Sequence, residues 1–398
     1  MPSPSSVQEI VRSGLCIGCG LCAAIGPFEM VFTPEGRLRP RRISEGPEYE
    51  ILNACPGAVA APNAEKGPHS DPIWGSFHCM EKAWAGDGVT RFHAATGGVL
   101  TALGMYLLGS GKARFVLHCA ADPERPMRSR WFMSETSEDV LARTGSRYGP
   151  TDTLAGLEIA LARQQPFAVI AKPCDAGAVR ARAADDPRID KYLVALLVMV
   201  CGGASDLGKS QAVLDAKGFD EEDLSLFRYR GYGNPGPTRG ETRSGHSFEM
   251  SYQEMWEDEA GWRIQSRCKI CPDALGEAAD LAASDIWPGG SPEGEDDGFN
   301  GVVTRTKAGE ALYREAIAAN ALVSGGTISP EALSDTQPHQ VAKKQKLAAR
   351  LRGLTKAGLP VYAHYDLRIA DLDTADPGEE AGTAQRVAAG RFYEMPPE

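Results

Sequence analysis

Tyr192-Leu-Val-Ala-Leu-Leu-Val-Met-Val200, followed at once by Cys201-Gly202-Gly203, is an unbroken apolar run of strand composition. A strand with one wet face alternates in polarity, whereas a strand covered on both faces does not, so this run belongs inside a parallel sheet. Its surroundings agree. Val99, Leu100, Leu103 and Leu107 stripe a helix behind Gly97-Gly98, and Arg114 to Cys119 reads as a strand. Leu154, Leu157 and Leu161 stripe a second helix, Phe167 to Ala171 is a short buried strand, and Ala176 to Ala184 is helical. Helix and strand in repeated alternation predict an α/β fold with crossover helices.

The longest apolar run, Leu193 to Val200, is far too short to span a bilayer, and Met1 to Gly14 lacks the charged flank and apolar core of a secretory signal. No membrane span and a cytoplasmic location are expected. The 398 residues suffice for two or three domains with cores of their own. Fifty-three acidic against 42 basic side chains give a net charge of −11, which argues against nucleic acid as a partner. In a reducing cytoplasm the ten cysteines are metal ligands or reactive thiols before they are disulfides.

Cys16-Ile-Gly-Cys19-Gly-Leu-Cys22 wraps three thiols around one loop, the spacing of a bacterial ferredoxin. The fourth ligand of that pattern precedes a proline; Gly26-Pro27 stands in the expected place, and the next Cys-Pro pair is Cys55-Pro56. The set Cys16, Cys19, Cys22 and Cys55 is therefore read as a 4Fe-4S site with an inserted loop through Thr33 to Pro47. Structural zinc is the competing reading, although zinc fingers and ribbons use paired C-x2-C arms. Residues 1 to about 65 hold few large apolar side chains, so the cluster is expected to staple this segment together.

Cys174 and Cys201 follow the ends of successive predicted strands, at the carboxyl edge where open parallel sheets bind ligands. Cys268-Lys-Ile-Cys271-Pro272 supplies two more thiols. The four can hold a second iron-sulfur cluster; a redox dithiol and a zinc site are the alternatives. Cys79, in a loop beside His78, and Cys119, on a predicted strand, are read as packing residues.

These stretches, with Arg91-Phe-His-Ala-Ala-Thr96-Gly97-Gly98, Gly145-Ser146-Arg147-Tyr148-Gly149, Lys172-Pro173-Cys174-Asp175 and Arg267-Cys268-Lys-Ile-Cys271-Pro272-Asp273 before Ala279-Asp280, resemble the family of coenzyme F420 hydrogenase/dehydrogenase beta subunits. These are iron-sulfur flavoproteins, 7-hydroxymethyl chlorophyll a reductase-like enzymes among them. The resemblance covers residues 15 to about 305. It implies FAD beside two 4Fe-4S clusters, in a mixed α/β chain: a ferredoxin-like 4Fe-4S segment over 1–65, a flavin-binding region over 66–165, a region with the second cluster over 166–335, and a tail over 336–398. Thr96-Gly97-Gly98 opening a helix presents free N–H groups to a flavin phosphate, although the same residues start helices without any ligand. Arg91, Ser146, Arg147 and Tyr148 are further cofactor candidates. Relatives usually carry serine at the position of Thr96 and Gly-Thr at that of Ala171-Lys172.

Clusters pass single electrons and a flavin stores two, so the expected activity is an FAD- and iron-sulfur-dependent oxidoreductase that reduces a small organic substrate, with ferredoxin or a similar donor as partner. Asp280 and Asp285, with Glu277, are candidate proton donors, and Lys172 can face a flavin phosphate or ring; ordinary helix, loop and surface roles compete for each. Phe227 to Arg239 mixes arginine, aromatic and turn residues and can clamp a planar or anionic substrate, or form a hairpin loop with solvated arginines. The alternative within this chemistry is an electron-transfer subunit, joined to other subunits or a second copy, that exchanges hydride with coenzyme F420 or NAD(P). A zinc-stabilised binding protein without redox function is the alternative from another class.

Overall fold

The computed structural model describes residues 3–257, 261–287, 292 and 294–397. Its centre is an eight-stranded mixed sheet of β1 (Cys79–Ala85), β2 (Phe115–Ala121), β3 (Ser129–Ser134), β4 (Phe167–Ala171), β5 (Leu193–Met199), β6 (Leu281–Asp285), β7 (Asn300–Thr304) and β8 (Leu322–Thr327). The order across the sheet is β8-β1-β7-β6-β5-β4-β2-β3. Only β2, β4, β5 and β6 run parallel to their neighbours in this set. The flanking pairs β2–β3, β6–β7, β7–β1 and β1–β8 are antiparallel. The sheet is thus mixed, where the sequence pattern pointed to a parallel one, because β3 at one side and β7, β1 and β8 at the other extend the parallel core as antiparallel strands.

The apolar run forms β5, with Leu196, Leu197 and Val198 fully buried between both faces. Two apolar layers cover the sheet. One combines Leu117, Val169, Leu196 and Val198 with Leu157 and Val179, and the other Val116, Leu197 and Val302 with α1 (Val99–Gly109) and α3 (Lys307–Ala318). Between β4 and β5, α2 (Pro173–Ala183) begins earlier than the expected Ala176, because Pro173 suits the first helical position and Asp175 accepts from the Lys172 backbone N–H at 3.4 Å. Cys174 consequently lies in the first turn of α2 and not in the loop before it. Cys79 opens β1 and is not a loop residue; the hydroxyl of Thr304 lies 3.2 Å from its Sγ.

The stretch expected as a loop from Thr33 to Pro47 is partly an antiparallel hairpin, Phe28–Phe32 against Leu38–Arg42. The amino-terminal segment packs on an apolar core that it shares with the tail. Ile10, Leu15 and Ala58 share an apolar core with Leu351 and Leu354 of α4 (Leu347–Lys356) and Val387 of α5 (Pro377–Ala388), together with Val361, Tyr362 and Phe392. The carboxyl-terminal tail is therefore a lid over the amino-terminal head and the Cys268–Cys271 loop, against which Cys16 and Cys55 pack. No helix among the described residues is long and apolar enough to cross a membrane.

Candidate functional site

Cys16, Cys19, Cys22 and Cys55 line a single cavity together with Ile10, Leu21, Ile51 and Pro56. The loop closes around it because Gly18 and Gly20 take left-handed backbone, φ +73° and +88°, which side chains disfavour. A Cβ on Gly18 would lie 2.5 Å from the Leu38 carbonyl oxygen, so the hairpin seals the loop from outside. Helix Tyr49–Ala54 ends at Cys55, whose Sγ accepts the Gly57 N–H at 3.4 Å. Burial pushes all four thiols up, Cys55 to about 12, and the neighbouring thiols raise Cys19, Cys22 and Cys55 further. Without a metal to replace their protons these groups are neutral.

The second set also converges. Cys174 feels Cys271 and Cys201, and Cys201 feels Cys268 and Cys271. Burial raises Cys174, Cys201 and Cys271, Cys201 to about 12. Cys201 leaves the end of β5 and donates its N–H to Ala274; Cys268 Sγ accepts the Ala204 N–H at 3.3 Å. Both sets are all-thiol donor sets, soft ligands suited to iron-sulfur clusters and zinc alike. Among the described residues no three His, Cys, Asp or Glu side chains gather around a point that would hold one metal ion.

A third locus lies at the same sheet edge. Because β1 is antiparallel to β7 and β7 to β6, the end of β1, the ends of β5 and β6, and the start of β7 all lie there. Gly98 caps α1 with φ +77°, and Gly97 approaches Asn300 and the Ala83 carbonyl so closely that a Cβ would meet them at about 3 Å. Asn300 donates to Thr96 Oγ1 at 2.8 Å and accepts the Val99 N–H at 3.2 Å. The glycines thus satisfy packing as well as any ligand.

Arg230 is buried at the centre of this locus. It donates to the Tyr148 hydroxyl at 3.0 Å, to Asp285 at 2.9 Å and to the Ala95 carbonyl at 2.6 Å, and faces the rings of Tyr252 and Trp287. Tyr148 packs against Trp256, which stacks on Trp262 at 4.2 Å. Among the described residues Arg230 Nε, Trp256 Nε1 and Ser205 Oγ are buried without a hydrogen-bond partner, so this aromatic cluster, the aromatic pocket below, carries polar groups that the protein leaves unsatisfied. The Tyr148 carbonyl accepts the Ser205 N–H at 2.9 Å, which ties the pocket to the loop that carries Cys201.

The remaining sequence candidates divide. Tyr148 and Asp285 bond Arg230, and Ser146 lies beside the Tyr148 hydroxyl, while Thr96 and Gly97 lie against Asn300 and Gly98 against Ala85 and Ala94. Arg91 bonds the Gly298 carbonyl at 2.9 and 2.6 Å and lies over Trp84 and Phe299. Arg147 is saturated by Ser129 Oγ and the carbonyls of Pro126, Met127, Arg128 and Phe227. Asp280 accepts from Arg180 at 2.6 Å, Thr306 at 2.9 Å and the Leu196 N–H at 2.8 Å, a structural knot where β6 begins beside β5. Glu277 is buried between Lys344 and Arg368. Lys172 donates to the Thr151 carbonyl at 3.0 Å and pairs with Asp175 at 2.9 Å, beside Cys174. Of the Phe227–Arg239 arginines, Arg230 is buried, contrary to a solvated hairpin loop, while Arg239 pairs with Glu241 and Glu249 nearer the surface. The sequence placed Arg230 only within a loop read as a substrate clamp or a solvated hairpin, not among the cofactor residues, and did not single out Asn300. The aromatic and turn residues around Arg230 were a usable signal, whereas a lone asparagine at a strand start gives none.

Two family models match: the N-terminal model of the coenzyme F420 hydrogenase/dehydrogenase beta subunit over residues 80–158 and the C-terminal model of the same family over residues 165–327. The coenzyme F420-dependent sulfite reductase of Methanocaldococcus jannaschii is 25% identical over 77% of this chain, which spans 46% of that protein's length. The coenzyme F420 hydrogenase subunit beta of Methanococcus voltae is 23% identical over 72% of this chain and 99% of its own. A subunit of the F(420)H(2) dehydrogenase of Methanosarcina mazei is 20% identical over 78% of this chain and 84% of its own. In fold, a chain of the F420-reducing [NiFe] hydrogenase complex from Methanosarcina barkeri superposes with a TM-score of 0.56 at 20% identity, over 74% of this chain and 98% of that one.

Proposed function

The chain belongs to the family of coenzyme F420 hydrogenase/dehydrogenase beta subunits, and from that premise we propose that it is the electron-transfer subunit of a larger oxidoreductase complex that exchanges hydride with coenzyme F420 or NAD(P). In this reading Cys16, Cys19, Cys22 and Cys55 hold one 4Fe-4S cluster in a ferredoxin-like head, Cys174, Cys201, Cys268 and Cys271 hold a second, and the aromatic pocket holds FAD. When bound, these groups supply one-electron steps and their conversion into a two-electron transfer.

The observation that carries the reading is the hydrogen bond from Ser205 to Tyr148, which joins the second thiol set to the aromatic pocket at one sheet edge. The residues of the chain then divide the work. The apolar side chains of Ile10, Leu21 and Ile51 around the first thiol set limit water there, and Arg230 fixes the Tyr148 hydroxyl against Asp285. Asp285 keeps part of its carboxylate exposed, with the side chain 30% accessible, so it is the acid placed to pass a proton between the pocket and water. Asp280 and Lys172 act through structure, the first where β6 begins and the second as a cation beside Cys174.

Relatives named as subunits of a hydrogenase and of a dehydrogenase favour this reading over a self-contained, ferredoxin-driven reductase. Anaerobic purification followed by a panel of reduced F420, NAD(P)H and reduced ferredoxin tests it. The expected outcome is iron, acid-labile sulfide and flavin in one preparation, with reduced F420 or NAD(P)H bleaching the flavin. Bleaching by reduced ferredoxin alone, with turnover of a small-molecule substrate and no other subunit, would restore the self-contained reductase. A colourless preparation with stoichiometric zinc would reduce the cysteines to structural ligands.

A further inference from the structure

Arg267 is 3% exposed, yet among the described residues it forms no ion pair with a carboxylate. Its guanidinium donates to the Pro56 carbonyl through Nε at 3.1 Å and Nη2 at 2.7 Å, and to the Ile270 carbonyl at 3.4 Å. The ring of Tyr362, contributed by the tail, has its centroid 4.3 Å from the guanidinium, and its hydroxyl donates to the same Ile270 carbonyl at 2.6 Å. Thiols from both sets act on its charge: Cys271, Cys174 and Cys268 from the second, and Cys55 from the first. The other buried arginine beside the cysteines, Arg39, acts on Cys16 and Cys268 but is neutralised by Glu394. Arg267 has no such partner.

A cation out of water without a counter-charge is costly, and carbonyl dipoles offset only part of that cost. A thiolate-bound cluster carries net negative charge, and one on each side of this guanidinium would supply the missing anion. We propose that Arg267 is the counter-cation shared by the two thiol sets, a positioning residue that raises the reduction potential of both centres they hold. The proposal rests on the two-cluster reading. Its physical basis is that each added electron makes a centre more negative and so deepens its attraction to the fixed guanidinium, favouring the reduced state. One residue reaches both sets because its backbone precedes Cys268 while its side chain ends on Pro56, the residue after Cys55.

The test is a potentiometric titration followed by electron paramagnetic resonance on the anaerobically purified full chain, with iron and sulfide measured on the same samples. Arg267→Gln is expected to keep both clusters while both midpoint potentials fall, so that at a fixed solution potential the reduced-to-oxidised ratio of each centre drops by roughly tenfold or more. Arg267→Lys, which keeps the charge but loses the fork, is expected to stay near the parent potentials. Unshifted potentials in Arg267→Gln with full iron would overturn the proposal, because a purely structural tie to Pro56 moves no potential. If Arg267→Gln loses iron, Arg267→Lys decides: clusters retained at parental potentials uphold the shared cation, and iron lost there too overturns it. Failure of the underlying reading looks different, since the parent protein itself would then lack two clusters.

Discussion

Arg39 and Glu394 lie 355 residues apart in the chain and form a two-pronged ion pair, Nε to Oε2 at 2.5 Å and Nη2 to Oε1 at 3.0 Å. Arg39 is wholly buried, and Glu394 also takes Arg37 at 2.8 Å. The last residues of the tail therefore lock the hairpin that seals the first thiol set. Removing one partner of a buried pair leaves the other charge uncompensated, which typically costs a few kcal/mol. Glu394→Gln is expected to destabilise the chain by about 3 kcal/mol in denaturant unfolding. A loss below about 0.5 kcal/mol, the range of ordinary surface substitutions, would mean that the pair does not hold the tail.

A second buried charge cluster separates structure from catalysis. Glu277 sits between Lys344 and Arg368, the latter at 2.6 Å, both supplied by the tail. Glu277→Gln is expected to lower stability by about 3 kcal/mol while turnover per folded molecule stays near parental at low temperature. Full thermal stability with lost turnover would return Glu277 to the list of proton donors.

One contribution to the pH dependence of stability comes from a buried histidine. His118 on β2 is buried against Ser134, its ring nitrogen 2.8 Å from the hydroxyl. Burial, with the nearby Arg143 charge, lowers its pKa from 6.5 to about 4. Between those values the unfolded chain binds a proton that the folded chain refuses, so the stability is fully present above about 6.5 and is lost as the pH falls toward 4. The loss amounts to at most roughly 3 kcal/mol. His118→Gln is expected to flatten this part of the stability profile; an unchanged slope would move its origin elsewhere.

What the sequence revealed followed from burial on both faces. Phe167–Ala171 is a strand with the expected ends, and Leu193–Met199 differs from the expected run by one residue at each end, because central strands carry a continuous apolar signal. The antiparallel flank was not legible. β1 contains Glu81 and Lys82, and Glu81 is buried only because Tyr313, Arg314 and Ser324 bond its carboxylate; β8 contains Gly325 and Gly326. The hairpin at Leu38–Arg42 was hidden by Pro40 and three arginines, a composition that reads as loop. Cysteine spacing marked the thiol motifs, but nothing local announces that Glu394 belongs beside Arg39 or Tyr362 beside Arg267. Those pairings are set by the folded tail.

The thiol assignments are separable by iron content. Cys55→Ser and Cys174→Ser are each expected to lose about one cluster's iron, one from each set, whereas Cys79→Ser keeps all of it. Cys79 lies apart from both sets, beside Thr304 on the antiparallel side of the sheet. Normal iron in Cys55→Ser would show that a different residue closes the first site, and iron loss in Cys79→Ser would show that the two sets are not complete.

The proposed flavin site calls for a substitution that spares the fold. Gly98→Glu is a poor choice, since φ is +77° and a Cβ there would crowd Ala85, Ala94 and Thr90 at 3.3 Å, so backbone strain would mask any effect on a phosphate. Arg230→Gln is more informative. It removes the cation that links Tyr148, Asp285 and Ala95 while leaving both thiol sets untouched. Flavin-poor protein with unchanged iron is expected, with flavin affinity weakened by roughly tenfold or more, the size of one or two charge-assisted hydrogen bonds. Arg91→Gln is the matched comparison, because Arg91 spends Nε and Nη2 on the Gly298 carbonyl and should affect stability before flavin content. If flavin is instead retained in Arg230→Gln and lost in Arg91→Gln, the cofactor lies toward the Trp84–Phe299 side of the sheet edge and the aromatic pocket must serve another ligand.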